Sequence, residues 1–343
     1  MNDRSKIEWC DATWNPLYGC TRVSEGCRNC YAEGLAARFH KPDQWGEGLT
    51  KDGRWTGKVT LAEHRLTLPL KWRKPRRIFV NSASDLFHEA VPDAWIDRVF
   101  AVMALCPQHT FQILSKRPGR MQGYLSSEES IGRIANAVQP MRSDNRPIGP
   151  LPHVEPGCRW WPLPNVWLGV SVENQQAADE RIPDLLATPA AVRIVSAEPL
   201  LGPVDMTRVK AAISGNTAEI DALTGDVWYP GNCGESSQTF RADLPHIDGV
   251  IVGGESGPRA RPMHPDWARS LRDQCAAAGV PFFFKQWGEW APEALGFIDC
   301  WPKPQRHEWE DAAAIRIGKA SAGRLLDGRT HDDLPPASKD AAE

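Results

Sequence analysis

The chain has 343 residues and a nearly balanced charge, with 40 Lys and Arg against 43 Asp and Glu. Its length suits one large α/β domain or two small ones, and its 41% hydrophobic and 24% charged residues are ordinary for a globular protein. No apolar run approaches the roughly 20 residues that cross a membrane, and the N-terminus shows no apolar signal region. We therefore expect a cytoplasmic protein with no membrane partner.

Six short apolar segments have the composition of strands that are buried on both faces. They are rich in β-branched and aromatic residues and do not alternate cleanly with polar ones. Helical patterns lie between several of them, and a further strand is predicted at residues 7–13. This alternation predicts parallel βαβ units, and we expect an α/β fold built as a partial or closed parallel (β/α) barrel. The six segments are residues 76–82, 110–116, 165–173, 191–199, 247–255 and 280–286.

Two segments interrupt this alternation. Residues 139–164 are rich in proline, and residues 208–246 are rich in Gly, Ser and Thr. We predict that both are loop insertions in a single barrel domain covering residues 1–334. Residues 335–343 are predicted to be a disordered tail.

Polar residues and glycines recur where the predicted strands end. In a (β/α) barrel the carboxyl ends of the strands form the rim that carries the active site. Ser and Asn in such places also serve as ordinary helix caps and turn residues, but the glutamates that directly follow buried strands favour a functional site. The candidate rim residues are Ser82, Asp85, Lys116, Arg117, Glu173, Glu198, Gly253, Gly254, Glu255 and Lys285.

Nine cysteines are scattered along the chain, and three of them, Cys20, Cys27 and Cys30, lie within eleven residues. An odd and sparse set is not the pattern of a disulfide scaffold. Structural zinc takes four ligands, for which Cys10 or His40 would have to supply the fourth. A four-iron cluster is normally held by four thiolates, so three thiolates would leave one iron open to bind another molecule. Both interpretations follow from the residues alone.

The three cysteines after the first predicted strand, ahead of a barrel with a polar rim, resemble the radical S-adenosylmethionine (radical SAM) enzymes. Those enzymes usually space their cysteines by three and then two residues, whereas this chain has six and then two. The resemblance implies a 4Fe-4S cluster on Cys20, Cys27 and Cys30, whose open iron chelates S-adenosylmethionine. It also implies an electron donor and a 5′-deoxyadenosyl radical as the reactive species.

The same resemblance implies a role for each rim residue. Ser82 and Asp85 would lie near the amino group of the cofactor, and Glu173 and Glu198 would bind its amino group or ribose hydroxyls. The turn formed by residues 253–255 would approach the adenine or the substrate, with Gly253, Gly254 and Glu255 assigned to cofactor binding. The cations would bind an anionic group of the substrate and act as catalytic residues; they are Lys116, Arg117 and Lys285.

A second resemblance extends over most of the chain and rests on the blocks "KIEWCDATWNPLYGC", "GCRNCYAE", "VIVGGESGPRARPMHPDW", "GVPFFFKQWGEW" and "GRLLDGRTHDDLP". These blocks resemble a phage-associated three-Cys-motif family of unknown function. The resemblance implies a companion, the three-Cys-motif partner protein, and a phage or mobile-element setting with nucleic acid or a nucleotide as a candidate substrate.

Two other functions are compatible with the same residues. One is a zinc-stabilised nucleic-acid-binding protein without catalysis, which requires a fourth ligand. The other is a hydrolase in which the rim carboxylates bind a divalent metal.

Overall fold

The computed structural model describes residue 5 and residues 7–142, 161–213, 215–229, 238–240, 244–293 and 305–336. Its strands are β1 (Ala12–Trp14), β2 (Leu17–Tyr18), β3 (Thr50–Lys51), β4 (Arg54–Trp55), β5 (Thr60–Leu61), β6 (Arg77–Val80), β7 (Thr110–Ser115), β8 (Val166–Ser171), β9 (Val192–Ala197), β10 (Val209–Ile213), β11 (Asn216–Ile220), β12 (Val227–Tyr229), β13 (Gln238–Phe240), β14 (Gly249–Gly253), β15 (Phe282–Gln286), β16 (Trp290–Pro292), β17 (Arg306–Glu308) and β18 (Ala313–Arg316). Its α-helices are α1 (Tyr31–Arg38), α2 (Glu63–Leu66), α3 (Asp93–Ala104), α4 (Pro118–Leu125), α5 (Glu128–Val138), α6 (Gln175–Ala187), α7 (Pro265–Ala278) and α8 (Lys319–Ala322).

Seven strands form the central sheet, in the order β1-β6-β7-β8-β9-β14-β15. Every neighbouring pair is parallel, so all the carboxyl ends lie along one rim. The sheet curls into a half-barrel, which confirms the α/β class and the partial parallel barrel. All six predicted strand segments lie in this sheet.

The first strand begins later than the predicted residues 7–13, at Ala12. Residues before it form a turn, in which the Cys10 amide donates to the Ile7 carbonyl at 3.2 Å. The turn places Trp9 in a cluster with Trp167, Ile194 and Phe283, which lie on the face of the sheet away from the main helical core. The indole of Trp9 therefore packs on the inner side of the half-barrel.

Helices cover the outer face because the connections between parallel strands cross over that face. Helix α3 connects β6 to β7, α6 connects β8 to β9, and α7 connects β14 to β15. Their apolar residues pack on alternate strand residues in one large cluster, as Val99 and Phe100 do on the sheet side of α3. Helix α6 begins at a capped N-terminus, where the Asn174 side chain accepts a hydrogen bond from the Ala177 amide at 3.0 Å.

The connection between β9 and β14 contains no α-helix among its described residues. It contains the antiparallel sheet β10-β11-β12-β13 instead, within the segment 208–246 that was expected to be a loop insertion. The other expected insertion, 139–164, forms a short 3-10 turn at Gln139–Arg142, and residues 143–160 lie outside the described residues, as do Cys158, Cys233 and Cys300.

The C-terminal segment packs back on the barrel. Pro335 is buried, and its ring packs so closely on β14 that a Cβ on Gly249 would lie only 2.7 Å from it. The predicted tail thus includes one residue in the packed core, and residues 337–343 lie outside the described residues.

The tightness of the inner face predicts a stability difference between two glycines. A Cβ on Gly169, in the middle of β8, would lie 2.6 Å from the Ile194 carbonyl oxygen and 2.7 Å from Leu114. We expect Gly169→Ala to lower the free energy of unfolding by about 1–3 kcal/mol through overpacking. Gly132→Ala in α5, where a Cβ would contact nothing within 4 Å, should raise it by about 0.4–1 kcal/mol. Urea denaturation of both variants checks this, and equal effects would contradict it.

Candidate functional site

The cysteine loop, residues 19–30, lies between β2 and α1. Cys20, Cys27 and Cys30 are all partly exposed and none forms a disulfide. Cys30 is the residue at the N-terminus of α1 and makes no side-chain cap hydrogen bond there, although the nearby backbone amides of Ala32 and Glu33 act to lower its pKa. Burial is the larger effect, so the pKa of Cys30 is raised, and burial likewise raises the pKa of Cys20 to about 12.

The three sulfurs do not all lie within 4.8 Å of one another. A tetrahedral zinc ion with Zn–S bonds of about 2.3 Å would hold its sulfurs about 3.8 Å apart. A cluster holds its thiolates farther apart because each one binds a different iron. Cys10 and His40, the candidates for a fourth ligand, have other contacts: the Cys10 thiol donates to Ser5 Oγ at 3.2 Å, and His40 Nδ1 lies 2.7 Å from the Ala37 carbonyl oxygen.

The first anchor of the cysteine loop is Arg117, at the end of β7. This buried guanidinium lies 3.7 Å from the Cys20 sulfur and donates to the Thr21 hydroxyl at 2.7 Å. It is held by the carboxylates of Asp85 at 3.1 Å and Glu89 at 2.9 Å. The predicted rim residue Asp85 therefore acts on the loop through Arg117.

Asp85 has no oxygen left over for a cofactor. Its Oδ1 accepts from the Ser115 hydroxyl and the Phe87 amide, and its Oδ2 accepts from the Lys116 amide as well as from Arg117. Because this carboxylate accepts four hydrogen bonds, it is held rigidly and connects the segment after β6 to the end of β7.

The second anchor is Glu173, at the end of β8. Its carboxylate pairs with Lys116 at 3.0 Å and with Arg181 of α6 at 2.9 Å. The Ser24 hydroxyl of the loop is close enough to help lower the pKa of this carboxyl. A Cβ on Gly26 would lie 3.0 Å from this carboxylate, so the absence of a side chain lets the loop backbone rest directly on the ion pair.

Burial opposes ionisation of Glu173, but the charge of Lys116 and the hydrogen bonds and charge of Arg181 outweigh it. Together they hold the pKa of this carboxyl at about 2, below its ordinary value of 4.5. Glu173 is therefore ionised throughout the physiological range.

The third anchor is Glu255, just after β14. It accepts from the Asn29 side chain at 2.9 Å and from Arg261 at 2.7 Å. Arg261 also donates to the Glu25 carbonyl oxygen at 2.9 Å, and Asn29 to the Arg259 carbonyl oxygen at 2.7 Å. Burial raises the pKa of Glu255, but the hydrogen bonds from Arg261 and Asn29 produce a net lowering.

One predicted pair makes no hydrogen bond to the cysteine loop among the described contacts. Lys285 Nζ lies 2.9 Å from Glu198 Oε1, and Ser196 donates to Oε2 at 3.2 Å. Both charged side chains are partly exposed, and a Cβ on Gly253 would lie 2.7 Å from Oε1. Gly254 instead lies against the Trp287 carbonyl.

Ser82, at the end of β6, lies beside the first helix. Its hydroxyl and the Asn15 side chain exchange hydrogen bonds at 3.1 and 3.2 Å. Its carbonyl accepts from the Tyr31 hydroxyl at 2.6 Å. The structure thus connects the residue after Cys30 to the rim.

Sequence reasoning missed Arg181 and Asn29 as partners of the rim carboxylates. Arg181 is eight residues from Glu173 on the following helix, a spacing that a βα unit places near its own strand end. Asn29 is 226 residues from Glu255, and nothing local in the sequence connects them.

A second cluster of metal-binding residue types comprises His264, Asp266 and Asp311, whose ligand atoms lie within 4.8 Å of one another. His264 Nδ1 accepts from the Asp266 amide at 3.1 Å, which caps α7. The neutral ring then carries its proton on Nε2, which faces Asp311 at 3.0 Å. Both nitrogens are therefore in use, and the cluster is a helix cap rather than a metal site.

These features define a parallel α/β half-barrel with a cysteine loop fastened to its carboxyl-end rim. The chain belongs to a protein family of unknown function, DUF5131, whose model matches residues 4–335. No curated protein and no solved structure matches the chain. Among the described residues, no helix is long and apolar enough to span a membrane.

The depressed pKa of Glu173 predicts a pH-dependent contribution to stability. A carboxylate with a lowered pKa stabilises the fold above its unfolded pKa and loses that effect as the pH falls. We expect Glu173→Gln to cost about 3–5 kcal/mol at pH 7, because the buried Arg181 and the partly buried Lys116 lose their partner. The difference from wild type should shrink between pH 4.5 and about 2.

Urea denaturation as a function of pH measures this difference. The control is Glu63→Gln, which breaks the exposed ion pair with Arg98 and should cost at most about 1 kcal/mol. A loss for Glu173→Gln that stays constant down to pH 3, or that equals the loss for Glu63→Gln, would contradict the assignment.

Proposed function

We propose that this protein is an iron–sulfur enzyme of the radical SAM type, with Cys20, Cys27 and Cys30 as the ligands of a 4Fe-4S cluster. The observation that carries the proposal is the attachment of the cysteine loop to three strand ends of a parallel half-barrel. Such a rim is where (β/α) barrels place their chemistry, and the anchors hold three thiols there.

The donor set fits a cluster better than a single metal ion. The three thiols do not form a 4.8 Å group with one another or with a fourth Cys or His among the described residues, so they lack the closed shell of a structural zinc site. Three thiolates leave one iron without a protein ligand. When bound, such a cluster supplies the electron that cleaves S-adenosylmethionine reductively.

The protein's own residues have two roles in this proposal. Arg117 places a buried positive charge 3.7 Å from the Cys20 sulfur, which offsets part of the effect of burial on the pKa of that thiol and would stabilise the thiolate that a metal requires. Glu198 and Lys285 offer a carboxylate and an ammonium group at the mouth of the half-barrel. Glu198 would accept from an amino group or ribose hydroxyl of the cofactor, and Lys285 would donate to an anionic group.

The rim carboxylates divide into two sets in this interpretation. Asp85, Glu173 and Glu255 are positioning residues, since their oxygens bind the cations and amides that hold the loop. Glu198 is the carboxylate assigned to cofactor contact. The electron donor and the three-Cys-motif partner protein stay predictions.

Anaerobic purification followed by iron and sulfide analysis tests the proposal. We expect about four irons per chain and a broad absorbance near 400 nm, as for a 4Fe-4S protein, and both should be lost in Cys20→Ala, Cys27→Ala and Cys30→Ala. Cys275→Ala is the matched control, because this cysteine is buried in α7 and should leave the iron content unchanged.

Addition of S-adenosylmethionine and a reductant to the iron-loaded protein should release 5′-deoxyadenosine. Glu198→Gln should weaken cofactor binding while iron content stays at the wild-type level. A colourless protein that holds one zinc ion and loses it in Cys10→Ala would overturn the proposal.

A further inference from the structure

The first turn and helix after the cysteine loop expose an unusual number of apolar side chains. Tyr31, Leu35 and Phe39 are 54%, 37% and 43% exposed, and their spacing of four residues places them on one side of α1. Val23 in the loop is 46% exposed. Within the described residues, the fifth large exposed apolar side chain is Leu325, so the exposure is concentrated beside the cysteines.

The apolar stripe, defined as Tyr31, Leu35 and Phe39, borders the mouth of the half-barrel. The Tyr31 hydroxyl is fixed by the Ser82 carbonyl at the end of β6. The half-exposed Tyr31 ring is thereby held beside the end of β6, next to the candidate site.

Helix α1 packs on the β3-β4 hairpin, and this neighbourhood is rich in cations. The exposed cations of residues 38–58 have no carboxylate oxygen within 4.0 Å among the described residues; they are Arg38, Lys41, Lys51, Arg54 and Lys58. Three exposed acids accompany them, Asp43, Glu47 and Asp52. The chain as a whole has a net charge of −3, whereas the exposed charged residues of this segment are mostly positive.

Fixed aromatic rings and unpaired cations side by side are the combination that binds single-stranded nucleic acid. Bases stack on the rings, and the cations neutralise phosphates. An acidic protein would satisfy the cations but would leave the rings without flat partners. A base on Tyr31 would lie next to Cys30, the preceding residue, and beside the rim residue Ser82.

We propose that α1 and the β3-β4 hairpin bind a single-stranded nucleic acid and present one of its bases to the rim. This inference rests on the proposed function for the identity of the site, and it names the substrate class. Binding itself requires only the side chains of this surface, so it can be tested whether or not a cluster is present.

The test is fluorescence anisotropy with labelled mixed-sequence DNA and RNA strands of about 20 nucleotides, longer than the roughly 4–16 nucleotides that one single-strand binding fold covers. A DNA duplex and poly-glutamate serve as competitors. We expect the single strands to bind with an affinity that falls steeply between about 50 and 200 mM salt. The DNA and RNA arms show which backbone is preferred.

Variants separate the charges from the rings. The triple variant Lys41→Gln, Lys51→Gln and Arg54→Gln should reduce the salt slope by about 2, since each lost phosphate contact removes about 0.7. The matched triple, Lys71→Gln, Lys210→Gln and Arg329→Gln, neutralises exposed cations elsewhere on the chain and should leave the slope unchanged.

Phe39→Ala should weaken binding roughly tenfold through loss of stacking, while Phe39→Trp should preserve it. The control is Leu325→Ala, which removes a similarly exposed apolar side chain outside α1 and the β3-β4 hairpin and should have no effect on binding. Melting temperatures establish that each variant is folded. If Phe39→Ala does not fold, the triple charge variant and Phe39→Trp still test the inference.

Absence of binding at about 50 mM salt, where nucleic-acid affinity is strong, would overturn the inference. So would poly-glutamate competing as well as a single strand of equal charge. Binding that persists in Cys20→Ala together with absence of iron in the wild type would overturn the proposed function and leave this inference standing.

Discussion

The position of the cysteine loop depends on carboxylates that are withdrawn from water at three strand ends. Asp85, Glu173 and Glu255 are each at most 6% exposed, and each binds at least one arginine. Removing one partner of such a pair leaves a buried charge uncompensated, which costs far more than breaking a surface pair. The loop can therefore leave the rim only by breaking several of these contacts together.

This constraint explains why the rim is so polar without every polar residue being available to a ligand. Oxygens of Asp85 are saturated by four donors, whereas Glu198 binds only Lys285 and Ser196 among the described residues. The loop occupies the side of the mouth formed by β6 to β8 and reaches across to β14. The Glu198–Lys285 pair lies just after β9 and in β15. It is the part of the rim where charged groups are still available to bind a ligand.

Local composition was sufficient to predict the strands, because a segment such as "IDGVIVGGE" is apolar on both faces and leaves little choice but a buried parallel strand. It also singled out Glu173 and Glu255 as candidate cofactor-binding residues, because each directly follows a buried strand, whereas in the structure each has a charged protein partner. It could not identify that partner. The contact between Asn29 and Glu255 spans 226 residues and exists only because β1 and β14 share one curled sheet. Residues 208–246 were expected to be a loop insertion because they are rich in Gly, Ser and Thr, whereas the described strands in this segment pair with one another in an antiparallel sheet.

The distribution of the anchors has a mechanical consequence. They attach the loop to β7, β8 and β14, and with a strand spacing of about 4.8 Å the outer two of these are roughly 14 Å apart across the sheet. Because the loop is attached at both ends of that width, a change in the curvature of the half-barrel would pull its two ends apart or bring them together. The curvature of the sheet and the shape of the loop that carries the three thiols are therefore mechanically coupled.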